Sequence, residues 1–170
     1  MEIIVRPDGQ DRATLSIGGL TTRCSVGKGG IGIKLREGDG ITPIGTWALR
    51  EVIYRPDRVP RPETRLPVRA MAPNDGWCEA PDDPDYNRLV RLPHRAPCDA
   101  MWREDHLYDV VCVIGYNDAP VVPGKGSAIF LHLCRTDYGP TAGCVGVPIE
   151  ELAQILALCD SHSTITIKGS

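Results

Sequence analysis

The chain has 170 residues, enough to bury roughly 70% of the surface it would expose unfolded and too few for two ordinary domains. Nineteen basic residues against 22 acidic ones leave a net charge of -3, which argues against a nucleic-acid binder relying on bulk positive charge. Glycine (18) and proline (15) are abundant, as in a turn-rich, mainly β domain rather than a helical bundle, and no apolar run approaches the roughly 20 residues that cross a membrane.

Taken in order, Glu2 to Val5 reads as a strand ending at the turn Pro7-Asp8-Gly9. Ala13 to Ile17 alternates into Gly18-Gly19, the pattern of a hairpin. Seven glycines between Gly27 and Gly45 exclude a helix there, and Thr46 to Tyr54 returns to strand composition. Pro56 to Pro67 holds four prolines and no periodicity, so it is read as a loop. Residues 50–69 carry six arginines against three acids, and residues 75–85 carry five acids and no base. The two segments either pair with each other, frame a cleft or are separately solvated, and solvation is the favoured reading. Asp99 to Asp105 is expected to form a helical turn. The apolar run Asp109 to Tyr116 has the length of a central strand, Asn117 to Gly126 is a loop, and Ala128 to Cys134 is a further strand. Pro148 to Asp160 is the one expected helix. Proline suits its first position, Glu150 and Glu151 suit its first turn, and Ile149, Leu152, Ile155, Leu156 and Cys159 share a face. Thr164 to Lys168 alternates as a closing strand. A single domain over 1–170 is expected.

Seven cysteines, an odd number without Cys-x-x-Cys spacing, suggest neither a zinc ribbon nor a disulfide framework. They fit a reduced compartment with at least one functional thiol. The N-terminus shows no basic segment before an apolar stretch, so no signal peptide is expected.

The chemistry concentrates between Ser127 and Pro148. In a strand, Ile129, Leu131 and Leu133 point one way and Phe130, His132 and Cys134 the other. Cys144 follows the small-residue run Gly-Pro-Thr-Ala-Gly, where the backbone can turn sharply. At such a turn the N–H groups of Gly143, Cys144 and Val145 can stabilise an oxyanion, and a nearby imidazole raises the reactivity of a thiol. The other reading is a buried cysteine in a turn, and residue chemistry alone weights the two equally.

Three features together resemble the L,D-transpeptidase (YkuD-type) catalytic domain: His132; the turn Thr141, Gly143, Cys144; and the upstream Thr42-Pro43-Ile44-Gly45-Thr46 with its approach Lys34 to Gly40. The resemblance spans roughly residues 30 to 150. Two positions depart from it: Ala142 stands where the family turn carries histidine, and Gly146 where it carries arginine or asparagine. Gly-Trp-Cys at Trp77 and Tyr86-Asn87 are shared with a divergent branch. The resemblance implies a β-sandwich or barrel and cysteine acyl transfer on peptidoglycan stem peptides, without a cofactor. In that scheme Cys144 attacks an L-to-D peptide bond, His132 moves the proton, and a backbone carbonyl near Leu133 orients the imidazole, with Asp137 a weaker choice. Sensitivity to carbapenem β-lactams is implied as well. Arg135 is the first choice for binding stem carboxylates and Arg69 the second. Thr141, Tyr116 and Asn117 are further substrate-binding candidates, the last two weighed against strand-end packing. The segment from Trp77 to Asn87 is a candidate lid, although core packing of Trp77 is favoured.

Competing readings are a non-catalytic domain that binds peptidoglycan fragments and a metal module using His132, Cys134 and Cys144, with Cys112 near. The spacing fits no zinc pattern, so no metal is expected. The family's substrate lies outside the cytoplasmic membrane, whereas cysteine usage leans to the cytoplasm. No oligomeric state or export route is legible.

Overall fold

Short β-rich segments cut by glycine and proline cannot sustain helices, and they fold into strands wherever alternate residues find an apolar face. A computed structural model describes residues 1–170. Its elements in chain order are β1 (Glu2–Pro7), β2 (Arg12–Ile17), β3 (Leu20–Ser25), β4 (Ile31–Gly32), β5 (Thr42–Pro43), β6 (Gly45–Tyr54), β7 (Val68–Ala70), β8 (Asp75–Cys78), β9 (Leu89–Arg91), β10 (Cys98–Ala100), β11 (Val110–Ile114), β12 (Phe130–Leu133), β13 (Val145–Val147), α1 (Ile149–Ala157) and β14 (Thr164–Ile167). The main sheet runs β11-β12-β13-β3-β2-β1-β14-β6-β7, and a further pairing of β11 with β6 closes it into a barrel. A small sheet, β10-β8-β9, stands apart from it in the hydrogen-bonding pattern. No helix is long and apolar enough to cross a membrane.

The barrel explains why the apolar runs at 110–114 and 130–133 are buried throughout. Val110, Cys112, Ile114, Leu131 and Leu133 fill the interior with Leu15, Val145 and Ile165. Their neighbours Val111, Val113 and Phe130 face outward into a second cluster with Met71, Trp77, Met101 and Tyr108. The small sheet thus covers the outer face of β11 and β12. Trp77 packs edge-on to Phe130, ring centroids 5.0 Å apart. It belongs to the core, as the favoured reading had it, and the segment from Trp77 to Asn87 is anchored at both ends by buried residues, with Glu79 to Asp85 lying at the surface between them.

Four expectations need correction. Residues 99–105 are not a helical turn: Asp99 and Ala100 lie in β10, and irregular bends follow. The helix is shorter than 148–160, with Pro148 as its extended N-cap at φ -62° and ψ 156° and Leu158 as its C-cap. Leu152, Ile155 and Leu156 are buried, but Ile149 is 48% exposed because it sits at the helix start beyond the barrel wall. The strand expected from Ala128 starts at Phe130, since Ala128 has φ +55° and leaves the extended region. As the favoured reading had it, the basic and acidic segments do not pair with each other, and each takes partners of its own. Arg55 holds Asp57, Arg58 holds Asp109 and Arg69 holds Glu51, while Asp75 pairs with Arg91 and Asp83 with Arg95.

Leu131 is fully buried in the barrel, so Leu131→Ala should destabilise the fold by about 2–5 kcal/mol through lost transfer energy and a residual cavity. Ile149→Ala should cost under about 1 kcal/mol. Denaturant unfolding of both variants checks this, and equal losses would refute the helix placement.

Candidate active site

Two strands build the site. β12 and β13 run parallel with Leu131 opposite Val145, His132 opposite Gly146 and Leu133 opposite Val147. One step before this register, Cys144 lies beside Phe130, whose backbone N–H meets the Cys144 Sγ at 3.4 Å. Period-two alternation then sets Cys144 and His132 on the same outward face, diagonal to each other. Both side chains line one cavity of about 170 Å³, together with Ser25, Arg103, Tyr108 and Arg135. A water molecule occupies roughly 30 Å³ in the liquid, so the cleft has room for about five, enough for the reacting portion of a peptide.

The cysteine turn is buttressed from behind. Gly143 has φ +134°, a conformation that L side chains rarely adopt, and a Cβ there would stand 3.0 Å from the Ile41 carbonyl oxygen. Next to Ile41, Thr42 accepts the Gly27 N–H through its hydroxyl at 2.8 Å, and Gly27 bridges to Thr141. The Thr42-Pro43-Ile44-Gly45-Thr46 segment therefore backs the turn. Asp39 supports its approach by accepting from Lys34 at 2.6 Å and from the N–H groups of Leu35, Arg36 and Ile41.

Several expected roles move. The Thr141 hydroxyl donates to the Cys144 carbonyl at 2.6 Å and accepts the Gly143 N–H at 3.1 Å. Thr141 thus shapes the turn, and the Gly143 N–H is already satisfied. Val145 lies within the β13 ladder. The Cys144 N–H lies outside that ladder and donates to no group of the protein, which makes it the available oxyanion donor of the three. Tyr116 and Asn117 do not reach the cavity. Tyr116 packs against Trp47 with ring centroids 5.1 Å apart and donates to the Lys125 carbonyl. Asn117 donates to the Val122 and Gly126 carbonyls, capping its own loop. The strand-end packing reading holds for both. Arg69 is held by Glu51 away from the cavity, and Asp137 accepts the Gly139 N–H.

His132 Nδ1 meets the Leu133 carbonyl oxygen at 2.8 Å. A carbonyl only accepts, so Nδ1 carries the proton and Nε2 is left with a free lone pair. The thiol of Cys144 donates to the Ala128 carbonyl at 3.2 Å rather than to His132. Burial pushes this thiol up to about 12, against the weaker opposing effect of the Phe130 N–H. Burial also pushes His132 down to about 4, while its bond to Leu133 acts the other way. Both groups are therefore neutral at rest, and the low thiol pKa expected of a preformed ion pair is absent.

Sequence reading missed three residues that matter here. Arg103 lines the cavity, pairs with Asp105 at 2.6 Å and lies over the Tyr108 ring. Tyr108 stacks edge-on to His132 at 5.3 Å and donates its hydroxyl to Asp99 at 2.8 Å. Ser25 is fully buried, and its Oγ is the one buried side-chain polar atom without a hydrogen-bond partner. It also bears on Gly146, where a Cβ would come 2.5 Å from the Ser25 Oγ and 3.1 Å from the Cys134 Cβ. The slot that an arginine or asparagine would need at position 146 is thus filled by its neighbours.

Asn87 ties the small sheet to the site. Its Oδ1 accepts the Trp77 indole N–H at 2.9 Å and the Ala128 N–H at 3.0 Å, and its Nδ2 donates to the Tyr116 and Asn117 carbonyls. Ala128 is the residue whose carbonyl holds the thiol.

Because both partners are neutral, alkylation of Cys144 by iodoacetamide should accelerate about tenfold per pH unit between about pH 7 and 9, scored by mass against Cys144→Ala. A rate flat from below neutral pH would instead reveal a thiolate. Asn87→Leu orphans two buried and two part-buried groups and should cost about 2 kcal/mol or more in urea unfolding, at about 1–3 kcal/mol per unsatisfied buried group. A loss under about 1 kcal/mol would show that Asn87 does not act as the tie.

Comparison with curated proteins and with solved structures gives no match. A family model described as the L,D-transpeptidase catalytic domain, YkuD, matches residues 2–167. That match takes in the barrel, the turn before β13 and the strand carrying His132, and on it the chain belongs to the L,D-transpeptidase catalytic-domain (YkuD) family.

Proposed function

We propose that the protein is a cysteine acyltransferase acting on peptidoglycan stem peptides, with Cys144 as nucleophile and His132 as proton carrier. The observation that carries this reading is the shared cavity, into which Cys144 and an imidazole with a free Nε2 both open. Family membership supports the substrate class.

The steps follow from the groups present. Substrate entry turns the thiol from the Ala128 carbonyl toward His132, whose Nε2 takes the proton as sulfur attacks the carbonyl carbon of an L-to-D peptide bond. The developing oxyanion accepts the Cys144 N–H. The C–N bond breaks, His132 returns the proton to the leaving amine, and a thioester remains on Cys144. An amine of a second stem, or water, attacks the thioester and passes its proton to His132. The sulfur leaves and is reprotonated. Because burial raises the thiol and lowers the imidazole, proton transfer is uphill at rest and has to run together with attack on the carbonyl. Arg135 is exposed at the cavity mouth, and it and Arg103 offer bidentate partners for stem carboxylates.

Intact-mass spectrometry after exposure to a carbapenem and, separately, to a tetrapeptide stem should show a covalent adduct on the wild type and none on Cys144→Ala. His132→Gln should slow acylation by roughly 10²–10⁴-fold. Wild-type acylation should be lost as pH falls through about 4, where the imidazole takes a proton and ceases to be a base. An equal adduct on wild type and Cys144→Ala would overturn the assignment, and a wild type that alkylates but never acylates would favour a non-catalytic binding domain.

A further inference from the structure

Outside the cleft, the small sheet gathers a set of soft donors that the acyl transfer does not use. Cys78 in β8 lies directly opposite Cys98 in β10. The flanking bonds, Glu79 N–H to the Pro97 carbonyl and Met101 N–H to the Asp75 carbonyl, make this the non-hydrogen-bonded type of antiparallel pair, in which side chains approach most closely. The loop that joins β9 to β10 folds His94 over the pair. One donor atom from each of Cys78, His94 and Cys98 lies within 4.8 Å of the other two. Around zinc, with bonds of roughly 2.0–2.3 Å, tetrahedral neighbours lie roughly 3.3–3.8 Å apart, so a contraction of about an ångström closes the shell.

The surroundings fit a cation. Cys78 is fully buried, and the His94 side chain is 8% exposed. The carboxylates of Asp83 and Asp85 stand 4.0 and 3.1 Å from the His94 Nε2; they cluster with His94 apart from the two sulfurs and so add negative charge beside the set. Arg95 pairs with both acids and offsets their charge when two thiolates form. Cys98 donates to the Ala96 carbonyl at 3.3 Å, and His94 is held by the Ala96 N–H at Nδ1 and by Asp85 at Nε2, so a cation would exchange with one of these weak contacts. Sequence spacing hides the set, because Cys78, His94 and Cys98 are separated by 15 and 3 residues across a proline-rich loop.

We propose that Cys78, His94 and Cys98 form a three-ligand structural binding site for a divalent, zinc-like cation, its fourth position taken by water or by an Asp83 or Asp85 oxygen that the ion draws in. Binding exchanges the two thiol protons for the metal and releases them to solvent. The site is independent of the acyl-transfer reading. It lies next to Trp77 and Asp99, whose partners are Asn87 and Tyr108, so it clips the sheet that covers the cysteine.

The test uses the reduced full-length protein. Wild type and Cys144→Ala, loaded with zinc sulfate and desalted, should each retain about one zinc per chain by elemental analysis. His94→Ala and Cys98→Ser, checked for folding by circular dichroism, should retain less than about a fifth of that. Cobalt(II) loading should give the thiolate charge-transfer and tetrahedral d–d bands in wild type and Cys144→Ala only. Chelation should lower the wild-type Tm and zinc should restore it, a readout that needs no variant. No retained zinc in the reduced wild type, cobalt spectra without thiolate bands, or metal lost with Cys144→Ala but kept by Cys98→Ser would each overturn the proposal. So would a Cys78–Cys98 disulfide that forms in air while the reduced protein ignores zinc.

Discussion

The parallel pairing of β12 with β13 is the constraint on which the site depends. Parallel strands cannot be joined by a tight turn, so the chain must leave β12 at Leu133 and loop back through residues 134–144 before re-entering beside it. The return delivers Cys144 next to Phe130, two positions along from His132. A shift of one residue would turn the sulfur into the barrel interior among Leu131 and Val145. The register is held from both sides, by the apolar interior within and by the Trp77–Phe130–Tyr108 packing without.

Burial does more than fix geometry. It holds the thiol and the imidazole uncharged, because neither ion is solvated in a cavity walled by Leu107, Tyr108 and Leu133. The departures from the family pattern fit the same economy of space. Gly146 is pressed against Ser25 and Cys134, so the barrel wall itself occupies what a longer side chain would fill. On the proposed reading, polar recognition passes instead to residues on other segments that line the cleft, Arg103 before β11 and Arg135 after β12.

Much of this was legible in the chain. The run 109–116 reads as a central strand because nothing polar interrupts it. The alternation from Ile129 to Cys134 separates the inner from the outer face, and that separation survives in the two clusters. His132 and Cys144 stand out because a polar ring in an apolar strand and a thiol after a run of small residues are each unusual. The small sheet was not legible, since β8 to β10 are three or four residues long and carry glycine, charge or proline at their ends. Tyr116 and Asn117 end the right strand, but the chain there bends toward Val122 and Gly126 instead of the cleft. Ser25 and Arg103 become visible only when the barrel closes, because no local pattern sets a serine or an arginine apart from its solvated counterparts.

The bond between the Cys144 thiol and the Ala128 carbonyl also bears on chemical endurance. Peroxide and disulfide exchange attack sulfur as the thiolate, not as the thiol. A thiol that keeps its proton against a backbone oxygen, 6% exposed, offers oxidants little to react with. If Cys144 is the nucleophile proposed above, the same bond spares it sulfenic damage in surroundings where an exposed, ionised cysteine would be silenced.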